Sequence, residues 1–550
     1  MSTATEQARE RIGRIALGDV IHRSARRFGT RTALIEGDHS LSYTALEAAT
    51  NQFAHYLLAQ GMHSAERVGM LCNNSIDMIV ALLGIQKAGM VWVPINTALA
   101  PDAIQYILEH AEVTRLVVDA SVLARPGIGE LVAASRIPVV LLEPAGEVAG
   151  AMAGLAGLAV TRHADALAGQ PATLPDVDIA SGQLAQIMYT SGTTGPQKGV
   201  MHSHASVHSV LAANLVDTGC GTAREVFTCL LPMFHCAQHG NTMSALLGGH
   251  AVVIGRGFDP ARVLAELARH RVTVVVALPM MYRAMLEHPQ FAAADLSSVR
   301  LCIYGMAPLP KNLLLRLLDA FCPNFILCSG QTEMYPAATI FEADEQRKRF
   351  GAFWGVRTEA NEVAVMGDDG RLLGPGEPGE IVFRGPNVML GYYKDPEATA
   401  RVQRFGWHHS GDLGVLDEDG QLLFLDRIKD MIKSGGENVP SIKVEEVLLR
   451  HAAVANAAVV GLPHARWGEA VTAFVTLKPG ARVEEDELGA HCKAHLGGFE
   501  VPKAVMLLAA LPATSTGKIQ HASTWHCVPA SDAHDSRRQW RSRQGDVAHA

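Results

Sequence analysis

The stretch "YTSGTTGPQKGVMHS", residues 189–203, gathers hydroxyl side chains, glycines, a proline and one lysine in a single window. Glycine lets a backbone approach an anion, Ser and Thr hydroxyls donate to its oxygens, and Lys198 adds a positive charge. That combination suits phosphate. The spacing differs from the loop of the common phosphate-binding ATPases, which needs two glycines separated by four residues, then Lys, then Ser or Thr. Here Gly192 and Gly195 are three apart and Lys198 is followed by Gly199. Three later runs, "VFTCLLPMFHC", "VRLCIYGMAPLP" and "NFILCSGQTEMYP", each read as a strand that ends in a turn with polar residues. They place His235, Thr332 and Glu333 at strand ends, where α/β proteins carry their chemistry.

The elements that must hold these turns alternate in period. "SYTALEAATNQFAHYLLAQG" has apolar residues three and four apart and stops at Gly61, a C-cap. "RVGMLC" and "MVWVPIN" read as buried strands around the helix "SIDMIVALLGIQKAG". "DPARVLAELARHR" reads as a helix with Asp259 as N-cap and Pro260 in its first turn, followed by the strand "VTVVVALP". Strand and helix in alternation predict an α/β fold with parallel sheets covered by helices on both faces. Residues 144–185 are rich in Ala, Gly and Pro and read as a surface excursion. Residues 362–430 shift to short antiparallel strands joined by Asp-Gly turns, and a smaller α+β unit begins near 431.

At 550 residues the chain exceeds one ordinary domain. A net charge of −8 argues against a general nucleic-acid binder, and the basic run at 536–544 reads as a solvated tail. Nine scattered cysteines without a C-x-x-C pair fit reduced thiols in the cytoplasm. No apolar run is long enough to span a bilayer, and residues 1–20 lack a secretory core.

Taken together and in order, the motifs resemble the adenylate-forming superfamily of acyl-CoA synthetases, luciferases and nonribosomal adenylation domains over roughly residues 20 to 525. The resemblance implies that Thr190, Ser191, Gly192, Thr193, Thr194, Gly195 and Lys198 embrace the phosphates of ATP. It implies that His235 in "LPMFHCAQHG" borders the acyl group and the phosphates, and that Gly305, Met306, Ala307 and Pro308 in "YGMAPLP" pack against adenine. In "SGQTEMYP", Thr332 matches a residue on the α-phosphate and Glu333 a Mg²⁺ ligand, with Thr190 as a second metal contact. Ser329 departs from the family, which has an adenine-stacking aromatic residue there. In "HHSGDLG" and "DRIKDMIKSGGENV", Asp412 and Arg427 match the ribose-holding pair and Lys429 the interdomain hinge. Lys518 in "PATSTGKIQ" matches the mobile catalytic lysine. Ser434, Gly435, Gly436 and Lys503 match the side that receives CoA.

The fold so implied is a large N-terminal adenylation domain over 1–426, built from two doubly wound α/β halves and a small distorted β-barrel. A hinge at 427–430 and a C-terminal α+β lid over 431–525 follow, with 526–550 a flexible tail. The implied activity is an acid–CoA ligase using ATP, Mg²⁺ and CoA by way of an acyl-adenylate. Ala277, Met280, Met281, Met306, Met334 and Tyr335 suggest an apolar acyl pocket, so a medium- or long-chain fatty acid leads. An aryl or arylpropenoic acid is the alternative, and transfer of the acyl group to an acceptor other than CoA is another.

Overall fold

The computed structural model describes residues 12–143, 155, 157–190, 197–221, 224–305, 309, 311–349 and 351–512. They form two compact units, one over 12–363 and 383–408, the other over 364–382 and 409–512.

The first unit contains two mainly parallel sheets. In one, the strands run in the order Gly391–Tyr392, Lys198–Ser203, Leu184–Thr190, Val91–Pro94, Arg67–Leu71, Val113–Asp119, Val139–Leu142 and Val160–Arg162. The pairs from Leu184–Thr190 onward are parallel, and Lys198–Ser203 and Gly391–Tyr392 add antiparallel. In the other, Phe325–Ser329, Leu301–Tyr304, Val274–Val276, Val226–Cys229, Ala251–Ile254 and Thr32–Glu36 lie side by side and parallel.

Side chains that alternate along a strand point to opposite faces, and here both faces are apolar. Val274 and Val276 join one core cluster while Val275 joins another. Val117 and Val140 enter that first cluster too, whereas Leu116, Val118, Val139 and Leu141 face a third. The shared cluster is filled by the helices Tyr43–Ala59, Ile76–Lys87, His204–Asp217 and Cys236–Gly248, so these lie between the two sheets. Helices cover the outer faces as well, such as Pro101–His110 on one and Lys311–Ala320 on the other.

Local chemistry sets the helix starts. Asp259 accepts from the Arg262 N–H at 2.7 Å with Pro260 in the first turn, the cap read in the sequence. Gly61 sits at φ +75° just past Tyr43–Ala59, a left-handed position suited to glycine. Ser203 caps His204–Asp217, and this helix opens with a fully buried histidine. The Leu17 N–H donates to His204 Nδ1 at 3.1 Å, which places the proton of the neutral ring on Nε2. One expectation needs correction: within 144–185, Val160–Arg162 pairs parallel with Val139–Leu142 and completes the sheet. At three half-exposed or exposed residues it is too short to show a period.

In the second unit, residues 412–416 and Leu422–Arg427 form an antiparallel pair, as the Asp-Gly turns predict. Downstream, Ile432–Ser434, Glu437–Val439, Val454–His464, Gly468–Leu477 and Ala504–Leu507 make a five-stranded sheet. The helices Ser441–Leu449 and Glu485–His495 pack on it through Val444, Leu448, Leu488 and Cys492.

Candidate active site

In the first unit, the strands flanking the glycine-rich window pair antiparallel, with Thr190 opposite Lys198. Ser191, Gly192, Thr193, Thr194 and Gly195 lie outside the described residues. Tyr106 donates from its hydroxyl to the Gln197 carbonyl at 3.2 Å, fixing the chain where it re-enters the sheet. On the other side of this hairpin, Tyr392 pairs with Val200, and the Tyr393 N–H donates to the Gly199 carbonyl at 2.7 Å.

Lys198 Nζ lies 4.9 Å from the centre of the Tyr392 ring. The hydroxyl of the same tyrosine donates to Glu333 Oε1 at 2.9 Å. Glu333 sits in the single turn Thr332–Met334, which follows Phe325–Ser329, and its carbonyl accepts from the Met389 N–H at 2.8 Å. Beside it, the Thr332 carbonyl accepts from His202 Nε2 at 2.7 Å. Cys236 Sγ lies 3.7 Å from Thr332 Oγ1. The hairpin and the Thr332–Glu333 turn are thereby tied together by His202 and Tyr392, neither of which the motifs single out. The GYY run carries no charge signal, and its partner Glu333 is 59 residues away in sequence.

His235 immediately precedes the helix Cys236–Gly248. Burial pushes its imidazole down to about 4, so the ring is neutral at pH 7. Its Nε2 has no hydrogen-bond partner among the described residues. One turn on, on the same face of the helix, His239 stacks on Trp92 with ring centres 4.8 Å apart and pairs through Nδ1 with the Tyr335 hydroxyl. Burial lowers His239 further, to about 3. The sequence gives Cys236 and His239 no weight, yet both contact the 332–335 turn.

Gly305 ends Leu301–Tyr304, and a Cβ there would lie 2.9 Å from the Cys328 carbonyl oxygen. The glycine is therefore required by the close approach of the neighbouring strand. Met306, Ala307 and Pro308 lie outside the described residues. Ser329 closes its strand, paired with Thr339. Among the described residues, those expected around an acyl chain fall in different surroundings. Ala277 and Met281 belong to the core on the outer face of the sheet, Met280 is 59% exposed, and Met334 and Tyr335 are fully buried.

In the second unit, Asp412 is buried and pairs in register with Arg427, whose Nε lies 3.6 Å from Asp412 Oδ1. Ser410 Oγ accepts from the Asp412 N–H at 3.0 Å and donates to the Ile381 carbonyl at 2.6 Å. Burial lowers the Lys429 ammonium below the ordinary lysine value. Gly435 and Gly436, at φ +65° and +91°, turn the chain from buried Ser434 to Glu437–Val439. The Gly435 N–H donates to the Trp467 carbonyl at 2.7 Å, and Lys503 Nζ lies 5.2 Å from the centre of the Trp467 ring. Trp467 thus gathers Gly435 and Lys503. Lys518 lies outside the described residues.

Each unit collects its own share: Thr190, Lys198, His235, Gly305, Ser329, Thr332 and Glu333 in the first, Asp412, Arg427, Lys429, Ser434, Gly435, Gly436 and Lys503 in the second. A family model described as AMP-binding enzyme matches residues 21–393, and one described as AMP-binding enzyme C-terminal domain matches 443–518. A feruloyl-CoA synthase of Amycolatopsis sp is 36% identical over 505 residues, covering 92% of this chain and 97% of the relative. A long-chain-fatty-acid–CoA ligase of Mycobacterium tuberculosis is 33% identical over 484 residues, covering 88% of this chain and 92% of the relative. Among solved structures, ATP-bound MatB from Rhodopseudomonas palustris superposes with a TM-score of 0.81 at 29% identity, over 92% of this chain and 97% of that one.

Proposed function

The chain belongs to the AMP-binding enzyme family, the acyl-CoA synthetase type of the adenylate-forming superfamily, and on that premise we propose that it is an AMP-forming acid–CoA ligase whose acid carries an aromatic ring. The observation that carries the reaction is the Lys198–Tyr392–Glu333 link at the base of the glycine-rich hairpin. It holds one cation and one carboxylate beside Thr190, as a triphosphate requires.

In the first half-reaction a carboxylate oxygen of the acid attacks the α-phosphorus of ATP. The bond from that phosphorus to the bridging oxygen breaks, and pyrophosphate leaves. Residues 190–195 and Lys198 cradle the β- and γ-phosphates, and Lys518 offsets charge at the α-phosphate. Asp412 accepts from the ribose hydroxyls, with the Arg427 fork beside it. By the family resemblance Gly305, Met306, Ala307 and Pro308 would serve adenine, and Thr332 the α-phosphate. The hard oxygen donors of Glu333 and Thr190 fit Mg²⁺, which when bound offsets the charge of the phosphates. In the second half-reaction the CoA sulfur attacks the acyl carbon, the C–O bond to AMP breaks, and the thiol proton passes to solvent. Ser434, Gly435, Gly436 and Lys503 serve that step after rotation about Lys429. We keep a division into 1–426, a hinge at 427–430 and a lid over 431–525; the two family models end at 393 and start at 443, on either side of that hinge.

Relatives support an aromatic acid. The feruloyl-CoA synthase is 36% identical over 505 residues, against 33% over 484 for the fatty-acid ligase. This puts an aryl or arylpropenoic acid ahead of the fatty acid that the sequence favours. The fatty-acid reading keeps its support from the M. tuberculosis relative. No helix among the described residues is long and apolar enough to cross a membrane. The eight described cysteines are free thiols, which suits the cytoplasm.

The test is thioester formation by purified protein with ATP and Mg²⁺, over a panel of aromatic and fatty acids, with and without CoA. Thioester from aromatic acids alone supports the reading. Thioester from fatty acids alone replaces the substrate class, and acyl-adenylate that CoA does not consume overturns the acceptor.

A further inference from the structure

Lys198 and Glu333 carry opposite charges and share a neighbour, yet among the described residues neither enters an ion pair. What stands between them is Tyr392. Its ring faces the ammonium and its hydroxyl holds the carboxylate. We propose that Tyr392 is a positioning residue that keeps Lys198 from collapsing onto Glu333, so that the lysine stays available to phosphate and the carboxylate to a divalent cation. The proposal rests on the assignment of Lys198 and Glu333 to ATP.

The side chain is well placed for this. Its backbone is fixed on one side by pairing with Val200 and on the other by its N–H, which donates to Thr399 Oγ1 at 2.9 Å. Thr399 in turn donates to the Asp395 carbonyl at 2.8 Å. Gly391 allows the approach, since a Cβ there would lie 2.8 Å from Thr399 Cγ2 and the residue adopts φ +146°. Tyr392 is also packed with Val200, Met389 and Ala398 in a small core of its own. A carboxylate oxygen only accepts, so the hydroxyl is the donor in this pair. A carboxylate released from the hydroxyl would gain a direct contact with Lys198 by Coulomb attraction. That contact would have to be broken each time Mg·ATP binds.

Tyr392→Phe keeps the ring and its packing and removes only the donor. Loss of a hydrogen bond to a charged group predicts calorimetric binding of Mg·ATP, without acid or CoA, weakened about 10-fold or more. The Mg²⁺ concentration that gives half-maximal ATP binding should rise with it, while the unfolding temperature stays near that of wild type. The same substitution made in Glu333→Gln should have little further effect, because the group it positions has lost its charge. Tyr392→Phe that binds Mg·ATP like wild type, or that weakens binding equally in the Glu333→Gln background, overturns the proposal. If wild-type protein binds no Mg·ATP, the assignment to ATP falls first, and this inference with it.

Discussion

His204 gives a prediction whose size follows from one ring. It is fully buried, Nδ1 accepts the Leu17 N–H, and burial together with Arg14 pushes its pKa down to about 4, against partial support of the charged form from Asp19. Protonation at Nδ1 would remove the acceptor and set two donors face to face. The unfolded chain, with an ordinary histidine pKa near 6.5, binds the proton first. A depressed folded-state value therefore means that the stability is intact above pH 6.5 and lost as pH falls toward 4. At pH 5 the unfolded state gains about 2 kcal/mol over pH 7 from this ring alone, and about 3 kcal/mol at pH 4. His204→Asn offers an amide oxygen to the Leu17 N–H and has no proton to take up. Urea unfolding followed by fluorescence and circular dichroism at pH 7 and pH 5 should show wild type losing about 2 kcal/mol more than the variant. Equal losses in the two proteins would refute the reasoning, because they would mean that His204 is not the group that titrates on unfolding.

Gly305→Ala sets a Cβ 2.9 Å from a backbone oxygen that cannot rotate away. Overpacking of this kind costs about 1–3 kcal/mol, so the unfolding temperature should fall and the KM for ATP should rise at least several-fold. Asp412→Asn removes the charge that faces Arg427 across the register pair and that would receive the ribose hydroxyls. Hydrogen bonds to a charged group are worth about 1.5–3 kcal/mol, so the Kd for ATP should rise roughly 10- to 150-fold by calorimetry. An unchanged Kd would remove Asp412 from the nucleotide site.

The parallel core was legible because buried strands and their helices repeat a local pattern. "RVGMLC" is Arg67–Leu71, and the Asp259-Pro260 start stands where the cap rule puts it. Val160–Arg162 was hidden because three residues at a sheet edge carry no period and owe their strand to a neighbour already in place. In the candidate site, Lys198, Thr332, Glu333, Asp412 and Arg427 stand in motifs whose resemblance to the adenylate-forming superfamily singles them out. It does not single out Tyr392 and His202, since each acts by one hydrogen bond across 59 and 130 residues. A motif is read along the chain, and these contacts exist only after the chain has turned back. The apolar acyl residues were harder to place: Met and Ala next to a strand fill the core as readily as a pocket, and composition does not say which face they take.

The pairing of Gly391–Tyr392 with Lys198–Ser203 has a bearing on how the protein is made. That strand seals the outer edge of the hairpin that carries the glycine-rich window. During synthesis at about 5–20 residues per second, the interval between residues 203 and 393 is roughly 10–40 s. Over that interval the hairpin presents a bare edge of backbone donors and acceptors, able to pair with another nascent chain. The hairpin is closed only when Gly391–Tyr392 emerges, and crowding on the ribosome is where an edge left open that long would first be exploited.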